Sequence, residues 1–366
     1  MSTNSTNDEV KTSRSIFSNL RGMFQRRTTS GLYVPEIDGV RFLAIAGVLL
    51  QHLHERAARR FSAAYEAVDG TMLDHVLRTG ACGVLIFFGL SGFILHTLLS
   101  DPVRAGGKVN LKAYFWRRVT RLEPPYIVAT TVILLAALFS GYQTGGQYFG
   151  KGPVTPQTSY LLTLGYMHTL TLGIPPSFNP PGWSLETEVQ FYILAPCLVW
   201  GLYKLKHSLS RILLLGTTIL VWPTLVTGHA SPIPQLSWSL AVNFPFFASG
   251  ILCCECLRQF DPKSQGVRTL CDLGAVLGLG LLIAPLKGLN YVWVDLLRCA
   301  AIFLLLVGAM RGNLVKRFLS LPFVAITGGM CYSIYLVHLP SMEVLTNWMM
   351  KHVPAPTTYS LVYLEQ

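Results

Sequence analysis

Residues 80–99 read GACGVLIFFGLSGFILHTLL, a run without a single aspartate, glutamate, lysine or arginine. About 20 apolar residues in helical form cross the roughly 30 Å of hydrocarbon in a bilayer. Similar runs lie to either side, near 39–54, 125–141, 188–203, 212–229, 237–257, 270–286, 291–310 and 322–349. The composition agrees: 51% of the 366 residues are hydrophobic and 13% are charged, about half the charged share of a soluble domain. A soluble protein so poor in charge could not cover its surface, whereas lipid covers a membrane protein. The reading is therefore all-α, a polytopic transmembrane helical bundle of about nine to ten spans.

The first run is short and contains Arg41; the last is long, and Gly328, Gly329 and Pro340 predict a break in it. The apolar segment 160–172 is bounded by prolines and reads as re-entrant or surface-lying. Residues 1–34 form a polar, basic leader without the apolar core of a signal peptide, and 35–366 form the transmembrane domain. The final residues 359–366 look like the opening of one more span, cut short or lying on the outer surface.

The net charge of +11 is unevenly spread. Lys11, Arg14, Arg21, Arg26 and Arg27 precede the first run, and Arg104, Lys108, Lys112, Arg117, Arg118 and Arg121 follow the second. Lys204, Lys206 and Arg211 follow the fourth, Arg258, Lys263 and Arg268 the sixth, and Arg311, Lys316 and Arg317 the eighth. These are alternate loops. In between, 55–79 balances its arginines with acids and 142–182 holds Lys151 alone. That alternation is a topology signal rather than a nucleic-acid footprint, and it puts the N-terminus in the cytoplasm. The chain reads as a multi-pass integral protein of the plasma (inner) membrane. Most of the eight cysteines lie inside apolar runs, and no histidine adjoins Cys253, Cys254 and Cys256, so no metal is expected.

Ionisable groups inside spans are costly and mark candidate sites. Arg41 and His52 are eleven residues apart, about 20° from sharing one helix face and roughly 16 Å along its axis. Arg41 alone would also suit a snorkelling end-anchor, but neutral imidazole is a useful base near neutral pH. Glu186 and Glu188 open the fourth run, where carboxylates complement a helix N-terminus; about 200° separates them, so they cannot share one role. His338 lies well inside the last run and reads equally as an interhelical contact. Arg118 and Arg121 are helical neighbours suited to phosphate, within a basic group begun by Arg117 that also suits topology or lipid headgroups.

Taken in order, these pieces resemble the membrane acyltransferase family 3, which includes bacterial O-antigen and exopolysaccharide O-acetyltransferases. The resemblance covers about residues 35 to 341. Pro35-Glu36-Ile37-Asp38-Gly39-Val40-Arg41 leading to His52 is similar to the family's opening. Phe87-Phe88-Gly89-Leu90-Ser91-Gly92-Phe93 resembles its second-span motif, and Arg118-x-x-Arg121 its arginine pair. Trp183-Ser184-Leu185 with Glu188 and Gln190-Phe191-Tyr192 resembles its tryptophan–serine–leucine element, and Tyr332-Ser333-Ile334-Tyr335-Leu336-Val337-His338 its late motif. Val40 departs from the family's common leucine.

The resemblance implies transfer of an acyl group, often acetyl, from coenzyme A to a carbohydrate hydroxyl. It implies that Arg118 and Arg121, with Arg117 and Arg41 nearby, hold donor phosphates. His52 would act as general base and Glu188 would orient or charge-balance an imidazole. Ser184 and Trp183 would shape the acceptor pocket, with Ser91, Glu186, His338 and Tyr335 as further pocket residues. The partners would be membrane lipids, acyl-CoA (most simply acetyl-CoA) and a hydroxylated acceptor, with no nucleic acid. The competing class is a transporter or flippase, which also places charge at the midplane. No internal repeat supports it.

Overall fold

The computed structural model describes residues 33–61, 65–140, 154–176, 179–226 and 234–352. The basic leader, Lys151 and the tail 359–366 lie outside them, as does most of the uncharged loop between the fifth and sixth runs. Every described element is helical, and no strand occurs among the described residues.

Helix α1 (Pro35–Arg60) starts with proline in its first turn, Glu36 and Asp38 near the positive end of its dipole, and Arg59 and Arg60 at the other end. It runs well beyond the apolar stretch that announces it. A short α2 (Met72–Arg78), capped by the Thr71 hydroxyl, leads into α3 (Cys82–Arg104). Helix α4 (Leu111–Ser140) opens with the Asn110 side chain accepting from the Ala113 N–H at 2.9 Å. The segment expected to be re-entrant or surface-lying forms two short helices, α5 (Pro156–Leu164) and α6 (His168–Leu172). Tyr166, at φ 56°, lies in the turn between them. Neither is long enough to span.

Then follow α7 (Gly182–Leu202), α8 (Ser208–Val226), α9 (Pro234–Ser237), α10 (Leu240–Leu257), α11 (Gln265–Ile283) and α12 (Tyr291–Arg311). Short helices α13 (Leu314–Leu319) and α14 (Pro322–Gly329) precede α15 (Cys331–His352). Asp272 of α11 accepts the N–H groups of Asn313, Leu314 and Val315 at 3.0–3.1 Å, capping α13 from a neighbouring helix. The expected break in the last run falls after Gly328 and Gly329, where α14 and α15 meet at 72°. Pro340 does not break it; it lies inside the continuous α15. A proline removes one helical hydrogen bond, a loss that neighbouring helices can absorb.

Among the described residues, six helical stretches are long and apolar enough to cross a membrane, and the bent α14–α15 pair makes a seventh if it is one span. Helices α1 and α7 fall short of that measure because they carry the charged residues, among them Arg41, Glu186 and Glu188. The chain is thus an all-helical, multi-pass membrane protein, with leucines of α8 and α11 such as Leu213, Leu220, Leu270 and Leu277 exposed as lipid requires.

The site is positioned by close helix packing. Helices α3 and α10 cross at Gly92 and Gly250: a methyl at Gly92 would strike the Phe247 carbonyl, and one at Gly250 the Gly89 carbonyl. Small residues at such crossings let backbones approach. Beside the crossing, the Phe247 ring stacks on Phe88 at 4.7 Å and on Phe191 of α7 at 4.2 Å, centroid to centroid. At the far end of α3, a buried ionic cluster ties α3, α8 and α10 together. There Glu255 faces His96 (2.7 Å), Arg211 (2.8 Å) and Arg258 (2.7 Å).

Candidate active site

A cavity of about 160 Å³ opens among α1, α3, α4, α7 and α15, lined by Arg41, Ser91, Arg118, Arg121, Glu188 and Tyr335 among others. Arg118 and Arg121 sit one turn apart on α4 and both line the cavity, whereas Arg117 does not line it. The Arg118 guanidinium lies 5.3 Å from the Tyr192 ring centre and 5.9 Å from that of Tyr114, a cation–π seat that fixes its direction. Arg41 is paired with Asp38 one turn earlier on α1. The Ser91 hydroxyl donates to Glu188, which brings the second-span and fourth-span segments together at the cavity wall.

On one side the cavity is closed by Ser184 and Tyr335, whose oxygens are 2.7 Å apart; the Tyr335 hydroxyl also donates to the Pro181 carbonyl at 2.7 Å. Behind Tyr335 stand two imidazoles. The His338 ring is 5.5 Å from the Tyr335 ring and 5.2 Å from the His52 ring. His338 Nδ1 lies 2.7 Å from the Tyr335 carbonyl, an acceptor only, so Nδ1 carries the proton and Nε2 a lone pair. That Nε2 is buried and has no hydrogen-bond partner among the described residues. His52 meets a carboxylate on its own helix, Glu55, with Nδ1 at 3.3 Å from Oε2.

Ion pairs hold the two histidines face to face. Glu343 of α15 accepts from Arg56 (3.1 Å) and Arg60 (2.6 Å) of α1, and Arg56 also donates to the Leu339 carbonyl at 3.1 Å. Next to this junction, buried His54 pairs with Asp74 at 2.8 Å, which also accepts from Tyr65 and Arg78 at 2.8 Å. Burial, with the hydrogen bond to Asp74, pushes the Tyr65 phenol up to about 12.

Several sequence expectations are placed differently. Glu188 meets Ser91 and the cavity rather than His52. Glu186 is fully buried elsewhere, accepting from the Thr169 N–H (2.8 Å) and hydroxyl (2.6 Å) and tying α6 to α7. Trp183 packs edge-on against Phe88 and Trp238 behind the cavity wall. Arg41, Ser91, Arg118, Arg121, Ser184, Glu188 and Tyr335 meet at one cavity, whereas His52 and His338 form a pair beside it. Sequence reading missed Asp38, Glu55, His96, Glu255 and Glu343. Only two carry a local signal: Asp38 and Glu55 stand three residues from Arg41 and His52, and so on the same helix faces.

The profile of the acyltransferase 3 family, described as an acyltransferase domain, matches residues 34–364. O-acetyltransferase OatA of Staphylococcus aureus is 22% identical over 353 residues, which cover 91% of this chain and 53% of that protein. Peptidoglycan O-acetyltransferase OatA of Listeria monocytogenes is 28% identical over 212 residues, covering 55% of this chain and 30% of that protein. The chain thus spans about half the length of its staphylococcal relative. No solved structure matches it. With the family profile running through both the arginine cavity and the histidine pair, the chain belongs to the membrane acyltransferase family 3.

Proposed function

We propose that this protein is a membrane O-acyltransferase that moves an acyl group, most simply acetyl, from cytoplasmic acyl-CoA to a hydroxyl of a carbohydrate reached from the outer side. The observation that carries this reading is the convergence of Arg41, Arg118 and Arg121 on one cavity, beside a pair of histidines on α1 and α15. Guanidinium groups suit phosphate by charge and by bidentate hydrogen bonding. The names of the relatives point to O-acetylation, and that of the Listeria protein to a glycan. The proposed topology is nine or ten spans from a cytoplasmic N-terminus in the plasma membrane, with residues 1–34 as leader and 35–366 as the transferase domain.

In this mechanism Arg118 and Arg121 bind the donor phosphates at the cytoplasmic end of the cavity. Glu188 repels phosphate, so only the neutral pantetheine arm passes it. The thioester then lies towards His52, roughly 16 Å along α1 from Arg41. His52 accepts the proton of the acceptor hydroxyl, and the oxygen attacks the thioester carbonyl. The carbon–sulfur bond breaks, the new ester forms, and the imidazolium returns its proton to the departing coenzyme A thiolate. His338 Nε2, an unsatisfied buried acceptor, receives a hydrogen bond from a second hydroxyl of the acceptor. Ser184 and Tyr335 form the edge of the cavity that the thioester end of the donor passes to reach the histidine pair.

The test uses the full chain in lipid nanodiscs with radiolabelled acetyl-CoA and a panel of glycan acceptors. Acceptor-dependent label transfer with release of free coenzyme A is expected, and its loss in His52→Ala. Transfer at the wild-type rate in that variant would remove His52 from the chemistry. Absence of acyl-CoA binding would remove acyl-CoA as the donor.

A further inference from the structure

His52 has a hydrogen-bond partner on its own helix. Glu55 follows it by three residues, which at about 100° per residue puts both side chains on one face of α1. Both Glu55 oxygens are engaged towards the preceding turn. Oε1 accepts from the Gln51 amide at 2.8 Å, and Oε2 lies 3.3 Å from His52 Nδ1. The glutamine therefore aims the carboxylate as well as sharing it. Both His52 and Glu55 are only partly buried, at 23% and 32% exposure, so the ring keeps one edge open towards an incoming molecule.

The charged and titratable surroundings of the ring restrict what the pair can do. From α15, His338 packs against His52 at 5.2 Å. Its Nδ1–H is held by the Tyr335 carbonyl, and an imidazole offers no negative counter-charge. Arg56 and Arg60, farther along α1, are committed to Glu343. Glu55 is thus the carboxylate hydrogen-bonded to His52 among the described residues.

We propose that Glu55 is a positioning residue that accepts a hydrogen bond from the Nδ1–H of His52 and thereby leaves the Nε2 lone pair free for the acceptor hydroxyl. The inference rests on the reading of His52 as general base. A carboxylate at Nδ1 does two things in such a pair: it holds one tautomer and orientation, and it offsets the positive charge that develops when Nε2 takes a proton. Without it the imidazole can place its proton on Nε2, where it cannot act as a base. The proton balance is unchanged by Glu55, which stays ionised throughout. The acceptor proton moves to Nε2 and from there to coenzyme A thiolate.

The experiment compares wild type, Glu55→Ala, Glu55→Asp, Glu55→Gln and His52→Ala in nanodiscs, reading steady-state acetyl transfer and ¹⁵N spectra of labelled histidine. His52→Ala identifies the His52 resonances by their disappearance. Glu55→Ala is expected to lower kcat by about 100-fold, leave the KM for acetyl-CoA within about twofold, and move the His52 signals from the Nδ1-protonated tautomer towards a mixture. Glu55→Asp is expected to restore part of kcat and of the tautomer signal, and Glu55→Gln to hold the tautomer while lacking the charge. Acetyl-CoA binding serves as the fold control; if Glu55→Ala fails it, the aspartate and glutamine variants carry the comparison. Wild-type kcat without Glu55, or a loss of kcat with an unmoved tautomer and no rescue by aspartate, overturns the proposal while leaving the base in place. Wild-type turnover in His52→Ala overturns the base itself.

Discussion

The Tyr335 phenol stands 2.7 Å from the Ser184 hydroxyl, although 151 residues separate them in the chain. Both oxygens converge on the Pro181 carbonyl, at 2.7 Å from Tyr335 and 3.2 Å from Ser184. Three consequences meet at this point: the start of α7 is fixed, the cavity is closed on one side, and the Tyr335 carbonyl is placed to orient His338. Tyr335→Phe keeps the ring and the second donor to Pro181. It is expected to reduce stability by about 1 kcal/mol with donor binding unchanged. Tyr335→Ala also removes a packed ring and is expected to cost about 3–5 kcal/mol. Thermal unfolding in nanodiscs, read beside acetyl-CoA binding, separates the two.

The arginine cavity predicts a graded response in donor affinity. Arg118 and Arg121 line the cavity and Arg117 does not, though all three lie in one basic group. Loss of a charge-assisted hydrogen bond costs roughly 1.5–3 kcal/mol, or about 10- to 100-fold in affinity. Arg118→Ala and Arg121→Ala are each expected to weaken acetyl-CoA binding by that factor. Arg117→Ala is expected to leave it unchanged. Equal effects from all three would mean that binding follows general surface charge rather than the cavity.

The helices were legible because hydropathy reports where lipid lies, and the two helices it describes least well are those with charges facing inward. The run ending near residue 54 gave no sign that α1 continues as a helix to Arg60. Hydropathy alone leaves Glu55 among the acids of 55–79, whereas it is a helical neighbour of His52. The glycine pair before α15 broke the last run as expected, because two glycines weaken a helix from within, whereas Pro340 alone was absorbed. Long-range pairings left no local mark. His96 and Glu255 are 159 residues apart, and neither departs from its own run enough to name the other. The division between Arg118 and Arg117 is a matter of about 100° around one helix, visible only once the facing helices are known.

Glu188 offers a prediction with opposite signs for binding and turnover. It shares the cavity with the guanidinium groups and accepts from Ser91. Glu188→Gln retains a hydrogen-bond acceptor but removes the negative charge that keeps phosphates at the arginine end. Acetyl-CoA is expected to bind up to about fivefold more tightly, since the lost repulsion is worth under about 1 kcal/mol. Transfer is expected to slow by about tenfold or more, because donors then settle in the wrong register. Weaker binding together with slower transfer would instead make Glu188 a direct support of the donor.

The buried ionic cluster at the far end of α3 predicts where stability is concentrated. Glu255 is 1% exposed and faces Arg211, Arg258 and His96, while Arg258 also reaches Asp101 at 2.6 Å. Removing the central carboxylate leaves two guanidinium groups in a buried setting without their shared counter-charge, which costs about 3–5 kcal/mol. Asp101 is 56% exposed, so Asp101→Asn is expected to cost under about 1 kcal/mol. Glu255→Ala is therefore expected to lower the thermal midpoint strongly, with Asp101→Asn close to wild type. The cluster joins α3, α8 and α10 away from the donor cavity, so the folded fraction of Glu255→Ala at low temperature is expected to bind acetyl-CoA normally. A Glu255→Ala protein as stable as wild type would mean that water or lipid headgroups already solvate those arginines, and that the glycine crossing alone holds α3 to α10.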